Sequence, residues 1–250
     1  MRIIISPAKK MRVDTDSLPE QGLPAFLKQS GQILDRLQQM SFAQLKSLWK
    51  CSDKLAQQSY EQLQQIHLTG NLTPALLAYD GIQYQYMAPD VFSDAEFAYV
   101  QQHLRILSGF YGVLRPLDGV CPYRLEMQAK LEVAGCRDLY QFWGSRLAEH
   151  LCAESSLILN LASKEYSRCI SDHLPKEVRM VTCVFGERID GKVVEKGTLC
   201  KMARGEMVRF LAEHNITDFE QVQQFDRLGY RFSEEDSNEE QLVFIKEGSR

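Results

Sequence analysis

"SDAEFAYVQQHLRILSGFYGVL", residues 93–114, joins a helix signal to a turn signal, and its reading decides how the chain is assembled. Ser93 and Glu96 are spaced as a capping box, and Phe97, Val100, Leu104 and Leu107 recur behind them at helical spacing. That spacing predicts a helix running to Gly109, the glycine that would end it. A capped helix ending in Gly109-Phe110-Tyr111-Gly112 also has the form of the first half of a helix-hairpin-helix, whose tight turn offers backbone N–H groups to a nucleic-acid phosphate. Pro116 and Gly119 interrupt any second helix, so an ordinary helix end with its aromatic pair in the core explains the same residues.

Toward the N-terminus, "RIIIS" is a β-branched run stopped by Pro7 and predicts a buried strand that delivers "SPAKK" to a loop. From Pro24 to about Ile66 the pattern is helical, with a capping box at Ser41 and Gln44. "LAYDGIQYQYM", residues 77–87, fits a strand or an ordered loop equally well. Toward the C-terminus, "DLYQFWGSRLAEHL" predicts helix, and "SLILNLASKEY" predicts a buried strand opening into a polar loop. Asp190-Gly191 marks a β-hairpin, a helix is expected from about Ala203 to His214, and "GYRF" with "QLVFIK" predicts a closing hairpin. Strands and helices alternate without a regular βαβ repeat. The expected fold is a single mixed α/β (α+β) domain over residues 1–250, a central mixed sheet surrounded by helices.

Composition removes several function classes. The 250 residues are 44% apolar, enough for a sizeable core, and 29 Lys plus Arg against 33 Asp plus Glu leave a formal charge of −4. No whole-chain field draws DNA or an acidic membrane, so any anion site is local. No apolar run reaches membrane-span length and "MRIIIS" is too short for a secretory h-region, which predicts a cytoplasmic protein without membrane partners. Seven cysteines, odd in number and without a C-x-x-C pair, fit reduced and mostly buried thiols, with no structural metal.

The charges that remain are grouped. Lys9, Arg115, Arg124, Lys201 and Arg204 all fall near expected strand ends or in loops, where side chains can converge on one cleft or stay as solvated charges paired with Asp118, Glu126 and Glu165. Ser6-Pro7-Ala8-Lys9 fits S-x-x-K, in which a lysine activates a serine, but no S-D-N or K-T-G accompanies it. G-x-S-x-G, the Walker loop and G-x-G-x-x-G are missing from the sequence. Arg115, Asp118, Arg124 and Glu126 alternate in sign within twelve residues, a pattern that cross-braces a loop or presents guanidinium forks to a phosphate or carboxylate. Tyr123 and Trp143 either stack on a base or sugar or pack in the core.

Taken together, "SPAK", "LSGFYGVLRPLDG", "PYRLEM", "DLYQFWG", "NLASKEY", "KMARGEM" and "GYRF" resemble the YaaA family of bacterial peroxide-stress proteins, in the family's order from residue 3 to about 245. The resemblance implies a role in the response to hydrogen peroxide, limiting the free iron that damages DNA and protein. It also implies DNA binding through a helix-hairpin-helix and a positively charged cleft, on an unusual mixed α/β fold. Matched position by position, the family pattern falls on Ser6, Pro7, Ala8, Lys9, Arg115, Pro116, Asp118, Pro122, Tyr123, Arg124 and Glu126, then on Trp143, Asn160, Ser163, Glu165, Tyr166, Lys201, Arg204 and Gly205. This chain has Lys10-Met11 where other members place a small polar residue first, and Lys164 where an acidic residue can occur; both make the rim more basic. No His, Asp or Glu cluster has metal-ligand spacing, so the expected effect on iron is indirect.

Two functions of different class follow. In one, a basic cleft contacts DNA phosphates without reading sequence, using Ser6, Lys9, Gly109, Gly112, Arg115, Arg124, Lys201 and Arg204. In the other, an enzyme of unknown reaction and cofactor binds a small anionic or nucleotide-like substrate with the same cations, with Lys9, Glu126 and Glu165 in catalytic roles. The cations are interleaved with Asp118, Glu126, Glu165, Tyr123 and Asn160, the composition of a pocket more than of an exposed basic stripe.

Overall fold

Ile3, Ile4 and Ile5 are all completely buried, so the opening strand is covered on both faces and belongs in the middle of a sheet. Taking each side chain out of water contributes about 1.5–3 kcal/mol. The computed structural model describes residues 1–246; the last four residues of the expected 1–250 domain lie outside the described residues. Eight strands form the main sheet: β1 (Arg2–Ile5), β2 (Leu104–Ser108), β3 (Gly112–Leu114), β4 (Leu157–Leu161), β5 (Arg179–Ile189), β6 (Lys192–Val194), β7 (Tyr230–Phe232) and β8 (Gln241–Lys246). Their order is β7-β8-β5-β4-β1-β2-β3, with β6 paired to β5. The five middle strands are parallel, and β3, β6 and β7 are antiparallel additions. The chain is a single mixed α/β domain, as its sequence predicts.

The hairpin signals hold. Asp190 and Gly191 both adopt left-handed φ, 50° and 74°, the pairing that a two-residue turn between twisted strands needs. Tyr230 to Phe232 pair antiparallel with Lys246 to Phe244, which closes the expected final hairpin. The capping boxes also hold: Ser41 accepts from the Gln44 N–H while the Gln44 side chain accepts from the Ser41 N–H, and Ser93 and Glu96 repeat the arrangement.

Three expectations need correction. The helix that starts after Ser93 ends at His103, and Leu104 passes directly into β2 without a turn. Every residue of β2 is buried, Arg105 included, so its apolar positions satisfy a two-sided strand as well as a helix face. The stretch from Pro24 to Ile66 is helical as expected, in three pieces, Leu27–Gln38, Phe42–Trp49 and Asp53–Gln64. The late helix starts six residues early, spanning Gly197–Glu213, so Lys201 and Arg204 are helical. The polar segment after β4 begins a helix, Lys164–Ser171, with Ser163 at its N-cap position.

Candidate functional site

Parallel strands deliver their following loops to one edge of a sheet. β1 leads there into Ser6–Lys10, and β4 leads to Ser163, Glu165 and Tyr166. A strap, residues 123–127, crosses at the same edge because Gly109 has no side chain: a Cβ on Gly109 would lie 3.1 Å from both the carbonyl carbon of Glu126 and the nitrogen of Met127. The helix Ile82–Met87 and the helix Gly197–Glu213 complete the walls. Gly81 and Gly205 allow this closeness, since a Cβ would meet Ala8 Cβ at 2.9 Å and the Gln83 carbonyl oxygen at 2.1 Å respectively. Between these pieces lies a cavity of about 380 Å³.

Four of the five cations expected to converge line this cavity: Lys9, Arg124, Lys201 and Arg204. Lys9 Nζ is 2.8 Å from Glu126 Oε1, and Lys10 pairs with Asp80. Arg204 Nη2 is 3.7 Å from Glu195 Oε1, beyond hydrogen-bond reach. Among the described residues neither Arg124 nor Lys201 has an ion-pair partner. The Nε atoms of Arg124 and Arg204 and the Nε2 atom of Gln83 are buried without any hydrogen-bond acceptor. An unmade bond of this kind costs about 1–3 kcal/mol per group. All three donors belong to residues that line the cavity.

The carboxylates are differently placed. Glu126 faces Lys9, and Gln128 joins it to Glu165: the Gln128 N–H donates to Glu165 Oε1 at 3.2 Å, and Gln128 Nε2 donates to Glu126 Oε2 at 3.4 Å. Burial pushes the Glu165 carboxyl above its ordinary value; the Gln128 N–H opposes that shift and the Glu126 charge adds to it. Glu165 is therefore the group in the cavity better suited to hold a proton.

Other polar groups are already satisfied. Ser6 Oγ accepts from the Ser163 N–H at 2.8 Å and lies 3.2 Å from Ser163 Oγ, which ties the two sheet-edge loops together. Since Lys9 turns to Glu126, Ser6 and Lys9 do not form a Ser–Lys dyad. Tyr84 OH donates to the Ser6 carbonyl at 3.0 Å. Tyr123 OH is 2.7 Å from Ser108 Oγ and 2.9 Å from Tyr79 OH, and burial pushes its pKa up to about 12. Ser108 Oγ accepts from two backbone N–H groups, so its own proton goes to Tyr123, whose proton goes on to Tyr79.

The fifth cation is elsewhere. Leu114 pairs antiparallel with Ile106, so Arg115 leaves β3 near the edge where β1 and β2 begin, opposite the cavity. There its guanidinium lies 3.9 Å from Glu154, a carboxylate also held by Arg2 and Arg105 at 2.8 Å. Asp118 Oδ2 accepts from the Arg115 N–H at 2.8 Å.

Residues 108–112 are a turn between antiparallel strands and every one of them is buried, so they do not form a helix-hairpin-helix. Gly112, at φ +77°, faces Leu147 and Trp143. Trp143 is fully buried with its indole N–H donating to the Gly109 carbonyl at 3.0 Å, which fixes it as a core residue. Asn160 is also internal, bonded to Thr182 Oγ1 and the Ala162 N–H. Gln83 is a site residue that the sequence did not reveal; it belongs to the segment compatible with strand or loop, in which Tyr79–Asp80 is a short strand and Ile82–Met87, with Gln83, is a helix. Among the described residues, no group of three or more His, Cys, Asp or Glu side chains is placed to hold a metal ion, and no helix is long and apolar enough to cross a membrane.

A family model described as peroxide stress protein YaaA matches residues 1–236. Relatives of comparable length share about half of the sequence. A UPF0246 protein of Lachnoclostridium phytofermentans is 54% identical over 246 residues, covering 98% of this chain and 96% of the relative. A UPF0246 protein of Pediococcus pentosaceus is 53% identical over 246 residues and one of Lactiplantibacillus plantarum is 53% identical over 245, each covering at least 98% of both chains.

Proposed function

The chain belongs to the peroxide stress protein YaaA family, and on that premise we propose that it serves peroxide defence by binding a small anionic ligand in the sheet-edge cavity. The observation that carries this reading is the set of three buried donors without acceptors, Arg124 Nε, Arg204 Nε and Gln83 Nε2, beside the unpaired Lys201. Glu165, whose carboxyl pKa burial raises above its ordinary value, and Glu126, paired to Lys9, are the carboxylates placed for acid–base chemistry on that ligand. Limiting free iron and sparing DNA are, on this reading, consequences of what the cavity does. The test is survival under hydrogen peroxide of cells that carry Arg124→Ala or Lys201→Ala as their only copy. Both should behave as the deletion does while the proteins accumulate normally; survival equal to wild type would reject the reading.

DNA contact through phosphates is a second reading, favoured by one observation: Lys9, Lys10 and Lys201 line the cavity yet stay exposed, with Lys164 exposed nearby. Such contact is sequence-tolerant and weakens steeply with salt. A duplex titration between low and physiological salt separates the readings, since binding that is salt-steep and lost in a four-lysine alanine variant requires the DNA reading. No binding at low salt removes it.

A further inference from the structure

We infer that the ligand of the sheet-edge cavity is a nucleoside monophosphate, held by its phosphomonoester. The inference rests on the anion-site reading above and narrows it by charge, by size and by the character of the walls.

Charge decides first. Five cations and three carboxylates, Asp80, Glu126 and Glu165, line the cavity. Lys10 is paired with Asp80 and Lys9 with Glu126. Arg124, Lys201 and Arg204 then face Glu165 across the lining, and Arg204 also has Glu195 at 3.7 Å from outside it, a surplus of about one to two positive charges. A phosphomonoester carries about −1.5 to −2 near neutral pH; a monocarboxylate or an internal DNA phosphodiester carries one. The forked guanidinium groups of Arg124 and Arg204 suit a tetrahedral oxyanion better than point charges do. The charge of a monoester falls within that surplus, and its three oxygens offer acceptors to both guanidinium groups and to Lys201.

Phosphate alone fills little of the space. The volume of about 380 Å³ is near the lower end of the roughly 300–1,000 Å³ range of small-molecule sites, room for one nucleotide and not for a dinucleotide. Beyond the cations the walls are Ile82, Leu125 and the rings of Tyr84, Tyr123 and Tyr166, surfaces for a flat heterocycle. Gln83, itself 94% buried (6% exposed), brings an unsatisfied amide N–H, a donor for a base carbonyl or ring nitrogen. Glu165, bonded through Oε1 to the Gln128 N–H, lines the same cavity as a carboxylate acceptor for an exocyclic amine or a ribose hydroxyl.

The same chemistry can come from a free nucleotide or from the phosphorylated end of a DNA strand, and calorimetric titration separates the two sources. The probes are AMP, GMP, CMP and UMP, the four parent nucleosides, inorganic phosphate, and a short single-stranded oligonucleotide with or without a 5′-phosphate. At least one monophosphate is expected to bind about tenfold or more tightly than both its nucleoside and inorganic phosphate. Arg124→Ala and Lys201→Ala should each weaken that binding about tenfold or more. Because Lys201 is exposed, its variant tests the site without disturbing the core. If only the 5′-phosphorylated oligonucleotide competes, the source is a strand end; if only the free nucleotides compete, it is the metabolite pool; each outcome keeps the nucleotide assignment. Inorganic phosphate binding that depends on Arg124, with no monophosphate doing better, overturns the nucleotide inference and leaves the anion site standing. No binding by phosphate, by any monophosphate or by the 5′-phosphorylated oligonucleotide overturns both.

Discussion

A β-carbon on Gly205 would fall 2.1 Å from the carbonyl oxygen of Gln83, so the helices that carry these two residues lie in backbone contact. That contact places Arg204 and Gln83, two of the three orphaned donors, in one wall of the cavity. In an unconstrained helix, Gly→Ala gains up to about 1 kcal/mol in propensity. Here Gly205→Ala must separate the helices, and the expected result is a net loss of about 1–3 kcal/mol together with loss of anion binding. Chemical denaturation and a phosphate titration on the same preparation check it; a stabilised protein with unchanged binding would refute the contact.

Gly112 is the second position where a side chain has no room. Its φ is +77° and a Cβ would meet Leu147 Cδ2 at 2.9 Å. Gly112→Val is expected to cost more than about 2 kcal/mol, from a β-branched residue in left-handed backbone against a filled core. Any functional loss should track unfolding. A variant with unchanged melting temperature and abolished DNA binding would return this turn to the surface role that its burial denies.

Much of this was legible, and the limits have physical causes. Capping boxes at Ser41 and Ser93 and the turn at Asp190-Gly191 depend on local chemistry, which the sequence states directly. The change from helix to strand at Leu104 has no glycine or proline to announce it, and a strand buried on both faces has no alternation to read. Four of five cations do meet at one edge, but only Lys9 does so in a loop after a parallel strand; Arg124 sits on the strap and Lys201 and Arg204 on the helix Gly197–Glu213. Arg115 and Arg124 are nine residues apart in sequence yet occupy opposite edges, because β3 turns the chain back before Arg115. Gln83 carried no signal: an amide between tyrosines becomes a site residue only when Gly205 brings a second helix onto it.

That separation makes Arg115 the control for the site. Its guanidinium is largely exposed and 3.9 Å from Glu154, so Arg115→Ala should leave anion binding unaltered and change stability by no more than about 0.5 kcal/mol. The pair of titrations, Arg115→Ala beside Arg124→Ala, checks it; equal loss in both would mean that the two edges act together.

Asp118 predicts a pH dependence. Burial pushes its pKa up to about 6, against the opposing Arg115 N–H. The folded state therefore holds the proton more tightly than the unfolded chain, whose aspartates titrate near 3.9. Stability contributed by this group is fully present below about pH 4 and is lost as pH rises through about 6. Asp118→Asn should match wild type near pH 4 and be more stable above pH 6, by up to about 2–3 kcal/mol. Urea melts across that range check the sign; a variant less stable at pH 7 would show that the ionised carboxylate is favourable there.

The most direct measurement is a crystal structure of the protein grown or soaked in phosphate. The account predicts a tetrahedral anion in the sheet-edge cavity, within hydrogen-bond distance of the Arg124 and Arg204 guanidinium groups and close to Lys201. Arg124 and Arg204 bonded instead to protein acceptors, with the cavity free of anion, would contradict it.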